Sequence, residues 1–96
     1  MPAMWKVIDK WKNEIILTDE RWKHITDHHW ELADRLDDVL ITIRLGKRKQ
    51  EKMNPQKFKY FYPFDGLPHS YTHIIVVVKL AIKKFVITAY PIAKKR

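Results

Sequence analysis

Histidine is the side chain in this sequence best suited to acid–base chemistry, and it occurs five times in 96 residues. His24 and His28 are four residues apart in a segment that predicts a helix, and His69 and His73 repeat this spacing. A neutral imidazole can bind zinc or exchange a proton near neutral pH. Zinc is the less favoured interpretation, because strand residues four apart lie about 13 Å from each other and His69 follows Pro68 in a predicted turn. We therefore expect no metal ion and no other cofactor.

Other common catalytic motifs are missing from the sequence. It has no cysteine, which excludes disulfides, thiol catalysis and thiolate zinc sites. It has no glycine-rich nucleotide loop, no nucleophile elbow and no two-histidine zinc-protease motif. The adjacent carboxylates Asp37 and Asp38 point to different sides of a predicted helix, as solvated residues do.

Three polar residues occupy predicted strands where apolar ones are expected. Lys79 ends a β-branched run, and Thr88 and Tyr90 alternate with apolar residues. Alternate strand residues share a face, so Thr88 and Tyr90 lie on one side of their strand. If that side coincides with the side of Lys79, the three form a cationic, hydroxyl-rich patch, which Lys59 or Tyr60 could join. The alternative is that these side chains only extend into solvent.

The charge of the chain is unevenly distributed. The net charge is +8; residues 1–45 carry seven Lys/Arg against nine Asp/Glu, and residues 46–96 carry twelve against two. A strongly basic half indicates a cationic face of the kind that binds a polyanion, although charge for solubility is the alternative. The basic residues expected to contact phosphates, and the tyrosines that could stack on a base, are Lys47, Arg48, Lys49, Lys52, Lys57, Lys59, Tyr60 and Tyr62.

The hydrophobic pattern predicts the elements that position these residues. Thr18 followed by two acids is typical of a helix start. A second helix, which Gly46 would end as a left-handed cap, is predicted by an apolar stripe of Leu32, Leu36, Val39, Leu40 and Ile43. A basic loop follows over residues 47–52. Strands are expected at residues 5–8, 14–17, 57–62, 73–80 and 85–90.

The order of these elements predicts one α+β domain over residues 1–96, since so short a chain leaves too little core for two. Two helices from the N-terminal half would pack on a curved antiparallel sheet of about four strands. The sheet would combine a short N-terminal strand or hairpin with a three-stranded C-terminal meander. Residues 93–96 are expected to form a basic tail.

The sequence also bears on location. No apolar run approaches the roughly 18–20 residues of a membrane span. The first residues lack the charged start and apolar stretch of a secretory signal. We therefore expect a cytoplasmic protein with no membrane partner.

Several segments, taken in order, resemble a known family. They are 17–25 (LTDERWKHI), 29–32 (HWEL), 38–40 (DVL), 60–62 (YFY), 75–79 (IVVVK) and 85–90 (FVITAY). Together they cover most of residues 17–92. They are similar to the phage- and mobile-element-associated nuclease-like domains of the barnase/EndoU/colicin/RelE superfamily.

The resemblance implies a metal-independent ribonuclease with helices packed on a curved four-stranded antiparallel sheet. It places the family's helix histidines on His24 and His29, its strand lysine on Lys79, and its strand threonine and tyrosine on Thr88 and Tyr90. In this hypothesis, one histidine is the acid–base group for attack by the ribose 2′-hydroxyl, Lys79 stabilises charge, and the two hydroxyls hold the phosphate. Helix periodicity puts the two histidines on roughly opposite sides, so only one is expected to face the site.

The sequence departs from the family pattern at two positions. Trp30 stands where proline is usual, and Pro63 stands where an arginine is expected. The second departure favours an alternative, in which the same fold is an inactive RNA-binding or protein-interaction module. The implied partners are RNA, with transfer RNA as one candidate, and an antitoxin or immunity protein.

Overall fold

The chain folds into six strands and two α-helices in a computed structural model that describes residues 4–94. The strands are β1 (Met4–Ile8), β2 (Glu14–Thr18), β3 (Lys47–Gln50), β4 (Lys57–Pro63), β5 (His73–Leu80) and β6 (Lys84–Ile92). The helices are α1 (Asp19–His28) and α2 (Leu36–Leu45), with short 3-10 helices at Trp30–Leu32 and Pro68–Ser70. Of the predicted basic tail, residues 95 and 96 lie outside the described residues.

The α+β class is as predicted, but the sheet is larger and of a different kind. Its strand order is β1-β2-β6-β5-β4-β3. All neighbouring strands are antiparallel except β2 and β6, which run parallel and meet at Ile16 and Phe85. The prediction of about four antiparallel strands is therefore wrong. The predicted basic loop begins as strand β3, because pairing with β4 outweighs the weak strand preference of its lysines, which edge strands tolerate.

Helix α1 begins where its sequence predicts. The Thr18 hydroxyl accepts a hydrogen bond from the backbone N–H of Arg21 at 3.1 Å. Asp19 and Glu20 lie in the first turn, at the positive end of the helix dipole. Ile25 is fully buried and anchors the helix in the core.

Helix α2 is shorter than its apolar stripe suggests. Leu32 belongs to the preceding 3-10 helix, and α2 starts only at Leu36. The break is held by Arg35, whose guanidinium donates to the Gly66 carbonyl at 2.6 Å and to Asp38 at 3.1 Å. A tertiary contact therefore overrides a helical pattern that continues across the break.

Gly46 joins α2 to β3, but not as the predicted left-handed cap. Its backbone is extended, with φ −72° and ψ 162°. Glycine is needed here for space: a Cβ would lie 2.3 Å from the Thr42 carbonyl oxygen and 2.7 Å from that of Phe61. The residue lets the end of the helix pass directly over β4.

The core lies between one face of the sheet and the helices. Cross-strand neighbours Tyr60, Val76 and Ala89 are fully buried on this face, as are Val39 and Ile43 of α2. Helix α2 packs against β4, β5 and β1, and α1 packs against β2 and β6. No helix in the described part of the chain is long and apolar enough to cross a membrane.

Candidate nucleic-acid interface

The other face of strands β3 to β6 carries rows of lysines and aromatic rings. Directly paired residues point to the same side of a sheet, as do alternate residues along a strand. We call this side the open face. Its rows are Lys57–Lys79–Phe85, Lys49–Lys59–Val77–Thr88, Lys47–Phe61–Ile75–Tyr90 and Pro63–His73–Ile92.

Two of these rows place lysines directly opposite each other. Lys49 pairs with Lys59, and Lys57 pairs with Lys79. Like charges at directly opposed positions destabilise a sheet. Glu51 offsets one of the charges, with its carboxylate 3.1 Å from the Lys59 ammonium. The open face thus holds positive charge at a cost in stability, and a bound polyanion would relieve that repulsion.

The register, with its shift between Val77 and Val78, puts the three predicted catalytic strand residues on one face of the sheet. Lys79, Thr88 and Tyr90 all lie on the open face, and Lys59 lies with them. Hydrogen bonding to Glu51 and the neighbouring Tyr90 phenol raise the pKa of Lys59, so its ammonium stays charged. The face therefore combines hydroxyl donors with fixed positive charge, as phosphate binding requires.

The two predicted catalytic histidines have different surroundings. His29 follows α1, where its backbone N–H donates to the Ile25 carbonyl at 2.8 Å. Its ring centroid lies 6.0 Å from that of Tyr90, at the rim of the open face. His24 is exposed on α1 and borders a cleft beside Thr18 and Arg21; its ring centroid lies 4.5 Å from that of His28, with the two rings tilted by 47°. The structure thus joins His29 to the strand residues and gives His24 other neighbours.

Comparisons of this chain with protein-family models, with curated proteins and with solved structures found no match. Within residues 4–94, no three His, Asp or Glu side chains are grouped so as to hold a metal ion.

Two residues expected to contact nucleic acid lie instead in a buried cluster. Arg48 and Tyr60 face the core, where the Tyr60 hydroxyl donates to the Asp9 carboxylate and Arg48 lies 3.5 Å from it. The Arg48 guanidinium is sandwiched between the rings of Trp11, at 3.9 Å, and Phe58, at 4.5 Å. Neither side chain is free to bind a phosphate or a base, and both predictions are corrected. The cluster instead ties the β1–β2 turn to β3, the strand at the opposite edge of the sheet.

The aromatic residue that β4 presents on the open face is Phe61. It pairs with Lys47 and Ile75 and is partly exposed. Tyr62 shares the other side of the strand with Tyr60 and packs edge-on against Phe64 at 5.3 Å. The alternation along β4 was visible in the sequence, but the side that faces the helices was not. Lys52 is exposed in the loop after β3.

His73 is a functional candidate that the sequence suggested as a metal ligand and as a residue on the same side of its strand as Lys79. It lies on the open face, and its register makes it a diagonal neighbour of Tyr90, at a typical separation of about 7–8 Å. Its Nδ1 is 2.7 Å from the Thr72 hydroxyl oxygen. Burial, together with the charge of Lys94, lowers the pKa of His73, so its imidazole is neutral at neutral pH. Its spacing of six residues from Lys79 was the available signal, since both then share a face.

Proposed function

We propose that this protein binds RNA on its open face and cleaves it without a metal ion, by attack of a ribose 2′-hydroxyl on the adjacent phosphate. The observation that best supports this function is the meeting of an imidazole, a phenol and lysines on one cationic face. The His29 and Tyr90 rings lie 6.0 Å apart, and Lys59 adjoins Tyr90. Because RNA supplies its own nucleophile, the protein has only to move protons and stabilise charge.

Each side chain has a defined role in this reaction. His29 accepts the proton of the 2′-hydroxyl as its oxygen attacks phosphorus. The bond from phosphorus to the 5′ oxygen breaks, which leaves a 2′,3′-cyclic phosphate, and Tyr90 donates a proton to the departing oxygen. Lys59 and Lys79 stabilise the charge on the phosphate, and the Thr88 hydroxyl donates a hydrogen bond to one of its oxygens.

The test uses labelled RNA incubated with the full chain in excess EDTA. We expect cleavage to continue in EDTA and to give cyclic-phosphate and 5′-hydroxyl ends. His29→Gln should lower the rate by about 10²-fold or more, the usual contribution of one acid–base group. His24→Gln is the matched control on the same helix, and it should cleave at the wild-type rate.

The outcomes separate this mechanism from others. Cleavage that stops in EDTA, or that also occurs in DNA of the same sequence, would contradict it, because DNA lacks the 2′-hydroxyl. Full activity of His29→Gln with loss in His24→Gln would move the acid–base role to the other histidine and overturn the proposed site.

A second candidate function is RNA binding without cleavage. The opposed lysine pairs favour binding whether or not a bond is broken. Pro63, at the end of the open face, leaves no arginine at the position where the family resemblance expects one. Affinity for a 2′-O-methyl oligonucleotide, which cannot be cleaved, measures binding alone. Binding without cleavage of ordinary RNA would select this candidate.

A ribonuclease of this kind would need restraint in the cytoplasm. An antitoxin or immunity protein is the partner we propose for that purpose. It would compete with RNA for the open face through an acidic surface, because the same lysines would attract both. Displacement of bound 2′-O-methyl RNA by the purified partner would test this.

A further inference from the structure

A cavity of about 290 Å³ opens at one end of the open face. Three lysines and a histidine line it, namely Lys10, Lys47, Lys94 and His73, together with the Tyr62 phenol and the apolar residues Leu45, Phe61 and Pro63. None of the described residues that line it is acidic. Positive charge that converges on a cavity without a carboxylate favours an anionic ligand.

The three lysines and the histidine come from four separate parts of the chain. Lys10 lies in the β1–β2 turn, Lys47 begins β3, His73 begins β5, and Lys94 follows β6. Their convergence depends on the curvature of the sheet, which brings the β1–β2 turn over to β3. A tail or a loop of lysines held by sequence proximity alone would not produce this arrangement.

Thr72 fixes two of these groups. Its hydroxyl oxygen accepts a hydrogen bond from the backbone N–H of Lys94 at 2.9 Å and lies 2.7 Å from Nδ1 of His73. The hydroxyl can donate its own proton to Nδ1, which leaves the proton of a neutral imidazole on Nε2. The Lys94 ammonium lies 5.7 Å from the centroid of the Phe61 ring. The His73 ring and the backbone of Lys94 are thus held before any ligand arrives, and the Lys94 ammonium lies over the Phe61 ring.

The titration of His73 agrees with this crowding. Burial lowers its pKa, and so does the positive charge of Lys94. The lysine is therefore close enough to repel a protonated imidazole. An anion between them would relieve this repulsion and raise the pKa of His73.

We propose that this cavity binds the phosphate monoester of a nucleotide, with the phosphate among Lys10, Lys47 and Lys94 and the base against Phe61. A monoester carries a charge of about −1.5 to −2 near neutral pH, which suits three ammonium groups better than the single charge of a phosphodiester. The volume is close to the lower end of ligand pockets, at about 300 Å³, so it suits one nucleotide unit. Two sources share this chemistry: a free nucleotide, and the terminal phosphate of an RNA strand. The second source rests on the RNA-binding function proposed above.

Titration of the full chain with adenosine 5′-monophosphate, followed by calorimetry in a buffer without phosphate, tests the site. The monophosphate should bind about tenfold or more tightly than adenosine, since charge-assisted hydrogen bonds are lost with the phosphate. Lys94→Gln and Lys47→Gln should each weaken it by about tenfold. Lys83→Gln, in the β5–β6 turn outside the cavity, is the control and should match the wild type. Equal affinity for nucleotide and nucleoside would overturn the proposal.

The His73 ring supplies a readout that does not depend on affinity. Its imidazole resonances should move when the monophosphate is added, and its pKa should rise. Unchanged resonances at saturating nucleotide would place the ligand elsewhere and overturn the site.

Two 2′-O-methyl oligonucleotides distinguish the sources. If the one with a 5′-phosphate binds about tenfold more tightly than the one with a 5′-hydroxyl, and Lys94→Gln removes the difference, the cavity holds an RNA end. If both bind equally while the free monophosphate binds, the site serves free nucleotides. Nucleotide binding without RNA binding would retain the cavity and refute the proposed function. RNA binding with no preference for a phosphate end, and with no nucleotide binding, would refute the cavity site and leave the RNA-binding function standing.

Discussion

Asp9 is the one buried carboxylate among residues 4–94, with 4% of its surface exposed. Burial alone would raise its pKa, but hydrogen bonds from Tyr60, from the Asn13 side chain and from the backbone N–H groups of Asn13 and Trp11 outweigh that effect and lower it. The same environment raises the pKa of Tyr60, through burial and its bond to Asp9, so the phenol stays protonated and continues to donate. Asp9 therefore stays ionised and Tyr60 stays protonated near neutral pH, so the hydrogen bond between them is maintained.

Replacing this carboxylate predicts a pH-dependent loss of stability. Asp9→Asn should lower the free energy of unfolding by about 3 kcal/mol at neutral pH, because Arg48 then keeps a partly buried charge without its partner. Because the folded pKa of Asp9 lies below its unfolded value, its contribution is full above about pH 4. It disappears as the pH falls through the folded pKa. Urea unfolding of both proteins from neutral pH into acid measures the difference.

The control for this prediction is Asp65→Asn, a change at an exposed carboxylate in the turn after β4. It should leave the free energy of unfolding within experimental error of the wild type. A loss of stability in Asp9→Asn that stays constant into acid would contradict the role given to ionised Asp9.

At the scale of elements, the junction between α2 and β3 depends on Gly46. Gly46→Ala should lower the free energy of unfolding by about 2 kcal/mol, because its Cβ would meet backbone oxygens of Thr42 and Phe61 that cannot turn aside. Gly66→Ala separates this effect from torsional strain. Gly66 has φ +76°, and a Cβ there would meet only Nη2 of Arg35 at an ordinary contact distance of 3.9 Å, so the substitution should cost about 1 kcal/mol from backbone strain alone. Thermal unfolding of both variants shows which one loses more stability. An equal loss of stability in the two would contradict the steric explanation.

The directly opposed lysines of the open face predict that one substitution will raise stability and weaken RNA binding. Lys57→Gln should raise the free energy of unfolding by about 0.5 kcal/mol at low salt, because it removes repulsion from Lys79. It should also weaken binding of 2′-O-methyl RNA. Salt should remove the gain in stability, since the screening length falls to about 8 Å at physiological ionic strength. Lys83→Gln is the control, and a gain in both stability and affinity would contradict this account.

The elements that could be predicted from sequence are those determined locally. The Thr18 cap and the strands around residues 73–80 and 85–90 depend on near neighbours, and the structure confirms them. Strand β3 was missed because its residues gain strand structure only by pairing with β4. The start of α2 was misplaced because the bond from Arg35 to Gly66 joins residues 31 positions apart.

The same distinction applies to the site. Period-two alternation, visible in the sequence, puts Thr88 and Tyr90 on one side of β6. Their sharing of a face with Lys79 depends on a register shift between Val77 and Val78, which the sequence did not reveal. The burial of Tyr60 and Arg48 was not visible, because it depends on Asp9, which lies 51 and 39 residues away from them. Because residues 47–50 were not predicted to form a strand, it could not be foreseen that Lys47 and Lys49 lie on one face of the sheet and Arg48 on the other.

At the scale of the whole molecule, the helices carry a small excess of acidic residues, whose basic counterparts there are Arg21, Lys23 and Arg44, and the sheet carries far more lysines than the helices do. The acids of the helices are Asp19, Glu20, Asp27, Asp37 and Asp38. The sheet presents its lysines on the open face. Charge separated in this way should orient an approaching polyanion toward the sheet.

Salt dependence of RNA affinity tests that separation. The logarithm of the binding constant for a single strand should fall linearly with the logarithm of salt concentration, by about 0.7 for each phosphate contacted. Lys79→Gln should reduce this slope by about 0.7, whereas Lys23→Gln, on the exposed surface of α1, should leave it unchanged. Affinity that does not respond to salt would refute an electrostatic interface.

The Asp9 cluster joins parts of the chain that are far apart in sequence, and this has a consequence for how the protein folds. Strands β4, β5 and β6 are joined by short connections, so they can pair early. The β1–β2 hairpin contacts β3 and β6 only after long loops have closed, and the entropic cost of that closure comes before the contacts form. The hairpin is therefore expected to dock last and open first. Each opening uncovers Ile15, Leu17 and the free edge of β6, to which a strand of another copy can pair. Loss of the Asp9 hydrogen bonds is therefore expected to increase self-association of the chain.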